Sequence, residues 1–126
     1  MRHKLYLVRF IIDGQKAYKV GITRHIDVAK RFKRILDKGA ISSFKIMKSS
    51  YFENEEEAYK AEQILFEEIK YKFGGYEHKD GVTRFHNFYT RKKYNGITEI
   101  RKYNQNEVNY CWKYIDNNGK KTYYEK

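Results

Sequence analysis

Two apolar runs on either side of Asp13 and Gly14 limit most strongly how this chain can fold. An Asp-Gly pair between such runs is typical of the two-residue loop of a β-hairpin. If these residues form the loop, Ile12 pairs with Gln15 and every later pair is fixed by that register. The pairs farther from the turn are then Phe10 with Ala17, Val8 with Lys19, and Tyr6 with Gly21.

The register also assigns each side chain to one face of the sheet, because successive strand residues point to opposite sides. One face is predicted to carry Tyr6, Val8, Phe10, Ala17 and Lys19. The other face is predicted to carry Leu5, Leu7, Tyr18, Val20 and Ile22. We therefore expect Tyr6 and Lys19 on the same face, whereas Tyr18 points away from both.

Two helical segments and a third strand follow the hairpin. The first helix can be capped by Thr23 or Asp27 and runs to about Asp37, with Gly39 as its stop. Residues 41–52 are predicted to form the third strand. Asn54 then starts a helix that continues to Phe73, where residues 74–75 end it. The apolar stripe of the first helix consists of Val28, Phe32, Ile35 and Leu36. The stripe of the second consists of Ala58, Ala61, Leu65, Phe66, Ile69 and Phe73.

The rest of the chain has strand-like patterns. Asp80 and Gly81 predict a second turn, and residues 82–89 a short strand. In the tail, Val108, Tyr110, Trp112 and Tyr114 alternate with Asn109, Cys111 and Lys113. The predicted fold is α+β: a small three-stranded antiparallel sheet flanked by helices, with a C-terminal β-rich appendage. Residues 1–90 would form the main domain and residues 91–126 a basic, aromatic appendage packed on it.

The charge balance predicts a polyanionic partner. The formal net charge is +11, with a pI near 9.6, and such an excess of cations is typical of nucleic-acid binding. A coding bias that enriches Lys and Asn would explain part of this positive charge more simply. The single Cys111 cannot form an internal disulfide. No apolar run in the sequence approaches the length of a membrane span. We expect a cytoplasmic protein that does not bind membranes, in a bacterium or in an infected host cell.

Glu62 interrupts the apolar stripe of the second predicted helix. Because an unpaired carboxylate is costly to bury, Glu62 should be paired, protonated or bound to a cation. A structural salt bridge to Arg31 or Lys19 and a role as metal ligand or catalytic acid both remain open. Arg31 lies at the edge of the first helix's stripe, where it could reach over the sheet or remain solvated.

Four of these side chains meet the requirements of phosphodiester hydrolysis. The reaction needs a cation to offset charge, a base to take a proton from water, and a group that grips the phosphate. Glu62 could hold the cation, and Tyr6 or Lys19 could act as the base. Arg31 could bind phosphate oxygens with its fork of donors. The histidines lack zinc spacing.

Four short segments resemble the GIY-YIG nuclease superfamily, in particular its branch, common in phages, that has KIG in place of YIG. They are Leu5-Tyr6-Leu7, Lys19-Val20-Gly21-Ile22-Thr23, Lys30-Arg31-Phe32 and Ala61-Glu62-Gln63. The resemblance covers about residues 4–90. It implies a three-stranded antiparallel sheet with flanking helices, and metal-dependent cleavage of DNA.

By this resemblance, Tyr6 is the general base or positions the water, and Lys19 takes the first position of the second motif. Arg31 contacts the scissile phosphate, and Glu62 binds one Mg²⁺ or Mn²⁺ ion. Further residues predicted to contact nucleic acid are His25, Lys30, Lys33, Arg34, Asn87, Arg91, Lys92 and Lys93.

The first motif lacks its glycine and begins with Lys4 instead. This departure motivates an alternative, a non-catalytic protein on the same scaffold that binds nucleic acid or a nucleotide, such as a phage accessory factor. A third hypothesis is binding of RNA by the aromatic tail, whose tyrosines and Trp112 could instead form the appendage's own core.

Overall fold

The computed structural model describes residues 3–12, 14–24, 28–37, 41–74, 101 and 103–120. The strands are β1 (His3–Ile12), β2 (Gln15–Thr23) and β3 (Ser43–Phe52). The α-helices are α1 (Val28–Asp37), α2 (Glu55–Ile69) and α3 (Gln105–Asn117). A π-helical turn, Lys70–Gly74, extends α2.

The three strands form one antiparallel sheet in the order β2-β1-β3, which confirms the predicted α+β core. The hairpin register is the predicted one, with Tyr6 opposite Gly21 and Val8 opposite Lys19. Gly14 has a φ of 75° at the turn, a conformation that glycine adopts without steric cost. The two-residue loop therefore fixes which side chains share a face.

Helix α1 covers one face of the sheet, which we call the α1 face. The buried residues here are Tyr6, Val8, Phe10, Ile12, Ala17, Val28, Phe32 and Ile41. The ring of Phe32 lies edge-on to two strand residues, with centroids 5.5 Å from Tyr6 and 5.2 Å from Phe10. Phe32 thus anchors α1 over the central strand.

Helices α2 and α3 together cover the opposite face, which we call the α2 face. Its buried residues are Leu5, Leu7, Tyr18, Val20, Ala61, Leu65, Ile69, Tyr103, Val108, Cys111 and Ile115. Asn54 caps α2 as predicted, because its side-chain oxygen accepts a hydrogen bond of 2.9 Å from the Glu57 N–H. The sheet is therefore sandwiched between one helix and a pair of helices.

The predicted β structure of the tail is wrong for residues 105–117, which form α3. Val108, Cys111 and Ile115 recur at helical spacing and are buried, each at most 3% exposed. Asn104 and Glu107 form a capping box at the start of the helix. The alternating aromatic residues masked this stripe, because Tyr110, Trp112 and Tyr114 lie on its flanks.

The ends of this C-terminal segment pair with both outer strands of the sheet. Arg101 exchanges backbone hydrogen bonds of 2.9 and 2.8 Å with Tyr18 of β2, and Lys120 exchanges two of 2.7 Å with Tyr51 of β3. Such pairing shields sheet edges that could otherwise recruit another chain. Although α3 joins the core, the division at residue 90 stays a prediction. The turn at residues 80–81 and the strand at 82–89 lie outside the described residues.

No helix in the described ranges has the length and apolar character that crossing a membrane requires.

Candidate functional site

Tyr6 lies directly over Gly21 on the α1 face. A β-carbon at Gly21 would be 2.5 Å from the Tyr6 hydroxyl oxygen and 2.8 Å from its Cζ. The ring is fully buried and packs against Phe32 on α1. Because only glycine leaves room for it, the tyrosine hydroxyl is held at one place above the second strand.

Lys19 lies two residues before Gly21 on the same face, as predicted, and is 3% exposed. Thr23 lies two residues after Gly21 and is 5% exposed. A strand rises about 3.3 Å per residue, so the α-carbons of Lys19 and Thr23 lie about 7 Å from that of Gly21 on either side. The structure therefore brings Tyr6 and Lys19 onto one polar strip of the α1 face.

Lys4 is a member of this strip that sequence reasoning missed. It pairs with Thr23, is 9% exposed, and its Nζ lies 4.8 Å from the centroid of the Tyr51 ring. An ammonium over an aromatic face is stabilised by the ring quadrupole. The signal that could have found Lys4 and Thr23 is the two-residue period that places them on the face of Tyr6.

Helix α1 carries the predicted row of cations. Lys30, Lys33 and Arg34 are exposed, as expected for the side of the helix that faces away from the sheet. Arg31 directly precedes Phe32, whose ring contacts Tyr6; the Arg31 side chain lies outside the described atoms. The backbone of α1 thus places Arg31 on the helix that covers Tyr6.

Glu62 lies on α2, whose buried residues pack on the face opposite Tyr6 and Lys19. It is half-buried, and its Oε1 accepts a hydrogen bond of 3.3 Å from Gln63 Nε2. The described structure does not place Glu62 on the same face as the phenol and the amine. The helical period identified the stripe correctly but did not determine which face of the sheet the stripe would cover.

The predicted metal site depends on Glu62. Within the described ranges, no three His, Cys, Asp or Glu side chains lie together as a metal-binding group. Magnesium often takes only one or two protein carboxylates and keeps water in its other positions. A half-buried carboxylate such as Glu62 fits a site of that single-carboxylate type.

The two helices that sandwich the sheet have opposite charge. Helix α1 contains Lys30, Arg31, Lys33 and Arg34 against Asp37, a net charge of +3. Helix α2 contains six glutamates against Lys60, a net charge of −5. A polyanion is therefore attracted to the α1 side and repelled from the outer surface of α2.

Five predicted nucleic-acid contacts lie outside the described residues: His25, Asn87, Arg91, Lys92 and Lys93. They stay predictions. In comparisons with family models, curated proteins and solved structures, nothing matches this chain. The proposals below accordingly rest on the residues, their geometry and the motif resemblance.

Proposed function

We propose that this protein is a metal-dependent endonuclease that hydrolyses DNA phosphodiester bonds. The observation that carries the proposal is the placement of Tyr6 on Gly21, with Lys19 on the same strip of the sheet. The motif resemblance assigns these residues to a hydrolytic centre, and the hairpin register supports that assignment because it puts the phenol and the amine on one face.

In this proposal, the Tyr6 hydroxyl orients the attacking water or takes its proton. The Lys19 ammonium stabilises the negative charge that develops on the phosphate. Arg31 lies on α1, the helix that packs on Tyr6, and would bind phosphate oxygens with two parallel donors. Each role requires a fixed side chain, and the packing of Tyr6 between Gly21 and Phe32 supports that requirement.

Glu62 is the residue that would hold a Mg²⁺ or Mn²⁺ ion. The ion would supply positive charge to offset charge on the scissile phosphate. Since α2 lies on the other face of the sheet, the proposal requires Glu62 to reach the centre around the edge of the sheet. Its half-buried position, rather than full burial in the core, supports that route.

DNA is the proposed substrate because the chain carries a net charge of +11 and exposes cations along α1. Phosphate contacts of this kind give affinity without sequence specificity. A protein with a single cleavage centre cuts one strand at a time, so the first product expected from supercoiled plasmid is the nicked circle.

A plasmid assay with matched variants tests the metal-binding role. Wild-type protein is expected to nick supercoiled plasmid with Mg²⁺ and to be inactive after chelation. Glu62→Gln should abolish cleavage while leaving DNA affinity and the melting temperature unchanged. Glu67→Gln is the control, since Glu67 is an exposed acid on the same helix. Mg²⁺-dependent nicking by Glu62→Gln at the wild-type rate would refute the role of Glu62.

The second candidate is a non-catalytic nucleic-acid-binding protein on the same scaffold. It is favoured by two observations: Tyr6 and Lys19 are buried, and Glu62 belongs to a helix on the opposite face. This candidate predicts tight, salt-sensitive binding with no cleavage in either Mg²⁺ or Mn²⁺. Competition among duplex DNA, single-stranded DNA, RNA and free nucleotides would then identify its ligand.

A further inference from the structure

The α2 face carries a group of cations at the hairpin end of the sheet, beyond its buried core. Arg9 on the central strand β1 lies directly opposite Lys45 of β3. Lys16 of β2 lies opposite Ile11 of β1. The next pair along the face places Lys48 opposite Leu7. Lys16 and Lys45 are exposed, and Arg9 and Lys48 are half-buried. We call these four residues the cationic platform; they span all three strands.

Three of the four platform cations, Arg9, Lys16 and Lys45, have no carboxylate to balance their charge in the described part of the chain. Directly opposed like charges on neighbouring strands are destabilising, and adjacent strands are only about 4.8 Å apart. By this rule the Arg9–Lys45 pair is expected to cost stability, and an anion bound over the two side chains would relieve that cost.

An exposed aromatic ring borders the platform. Trp112 of α3 is 39% exposed, and the Lys48 Nζ lies 4.6 Å from the centroid of its ring. Lys48 is held in place by a salt bridge of 2.7 Å to Asp116. The indole is thus fixed on one side by a cation while part of its surface stays open to solvent.

We propose that the cationic platform binds single-stranded DNA, with phosphates at Arg9, Lys16 and Lys45 and a base stacked on Trp112. Stacking on aromatic residues beside a basic surface is how proteins hold unpaired strands. A duplex is disfavoured here because its base faces are already stacked. The platform lies on the face opposite Tyr6, so it is a second surface beyond the proposed cleavage centre. Only the choice of DNA over RNA rests on the proposed function.

The chain provides its own probe, because Trp112 is its only tryptophan. Selective excitation of its indole in the full-length protein, without divalent metal, is expected to show quenching when an oligothymidylate is added. Arg9→Gln/Lys45→Gln should weaken this binding about tenfold, and the slope of log affinity against log salt should fall by about 1.4. The control Lys60→Gln/Lys70→Gln removes two exposed cations on α2 and the turn that extends it, and should keep wild-type quenching. Melting temperatures establish that both variants are folded.

The outcomes separate the two proposals. Unchanged quenching and affinity in Arg9→Gln/Lys45→Gln would overturn the platform, as would an equal loss in Lys60→Gln/Lys70→Gln. Quenching by oligouridylate but not oligothymidylate would overturn the choice of DNA. Plasmid cleavage by wild-type protein without quenching by single strands would refute the platform alone. Quenching without any plasmid cleavage would refute the nuclease proposal alone.

Discussion

Tyr6 and Gly21 face each other across the hairpin so closely that a β-carbon at Gly21 would lie 2.5 Å from the tyrosine hydroxyl. This contact joins the two motif-bearing strands at one point. Position 21 must be glycine to leave room for the Tyr6 side chain, and the space above the glycine determines where that side chain lies. The predicted register, the close contact and the proposed chemistry therefore all involve this one cross-strand pair.

Gly21→Ala is expected to lower the free energy of unfolding by about 1–3 kcal/mol, because the added methyl group overpacks the space under Tyr6. In a Tyr6→Leu background the same substitution should cost much less, and urea unfolding of the four proteins gives the coupling. Gly14→Ala is the control: its β-carbon meets nothing within 4 Å, so its cost should be the same in both backgrounds. Equal costs for Gly21→Ala in both backgrounds would show that Tyr6 does not occupy that space.

Ile115→Ala should destabilise the protein by about 2–5 kcal/mol, as expected for a large-to-small change in a close-packed core. Ile115 is fully buried between α3 and the sheet. Lys113→Ala, an exposed substitution on the same helix, should leave stability within about 0.5 kcal/mol of wild type. Chemical unfolding measures both changes. A small effect of Ile115→Ala would mean that α3 contributes little to the core.

The hairpin could be predicted from sequence because its information is local. Asp13 and Gly14 set the loop, and the two-residue period then determined both faces, including the shared face of Tyr6 and Lys19. The prediction for the tail was wrong because its aromatic residues alternate with the two-residue period of a strand, whereas Val108, Cys111 and Ile115 recur with the period of a helix. The residues that are buried determine which period is the structural one, and burial depends on tertiary packing that a local sequence pattern does not show.

The position of Glu62 could be predicted only in part. Its place beside the apolar stripe follows from the helical period, and the structure finds it half-buried on α2. Which face of the sheet α2 covers depends on how the chain crosses over from β3, and no local pattern encodes that. The cationic platform was missed for a related reason: the hairpin register places Arg9 and Lys16 on one face, but Lys45 joins them only through the pairing of β3 with the central strand.

Stability should fall with rising pH in the alkaline range. Burial, with Glu107 close by, raises the pKa of the Cys111 thiol from 9.0 to about 12. Between these values the unfolded chain loses the thiol proton and the folded chain keeps it, so the free energy of unfolding decreases as pH rises. Below pH 9.0 both states are protonated and this contribution is fully present.

Urea unfolding at a series of pH values measures this effect. The decline from Cys111 should begin near pH 9.0, with a slope of at most about 1.4 kcal/mol per pH unit. Burial also raises the pKa of Tyr103 and Tyr114 above 10.0, so their contributions begin later and have the same sign. Cys111→Ala should remove the first part of the decline. An identical pH profile for this variant would exclude the thiol as its source.

Duplex DNA should bind through the exposed cations of α1. Lys33→Gln/Arg34→Gln is expected to weaken binding of a duplex oligonucleotide and to reduce the salt slope by about 1.8. Lys60→Gln on the acidic helix α2 is the control and should have little effect, because its surroundings repel phosphate. Fluorescence anisotropy across a salt series gives both quantities. A larger loss from Lys60→Gln than from the α1 pair would contradict the polarity inferred from the two helices.

The most direct measurement is the rate of Mg²⁺-dependent plasmid nicking by Tyr6→Phe beside wild type. Phenylalanine keeps the packing against Gly21 and Phe32 and removes only the hydroxyl, so the variant should stay folded at the assay temperature and keep a DNA affinity near the wild-type value. We predict that nicking falls by about 10²–10⁴-fold, the usual contribution of a positioned acid–base group. Nicking by Tyr6→Phe at the wild-type rate would contradict a hydrolytic role for this tyrosine.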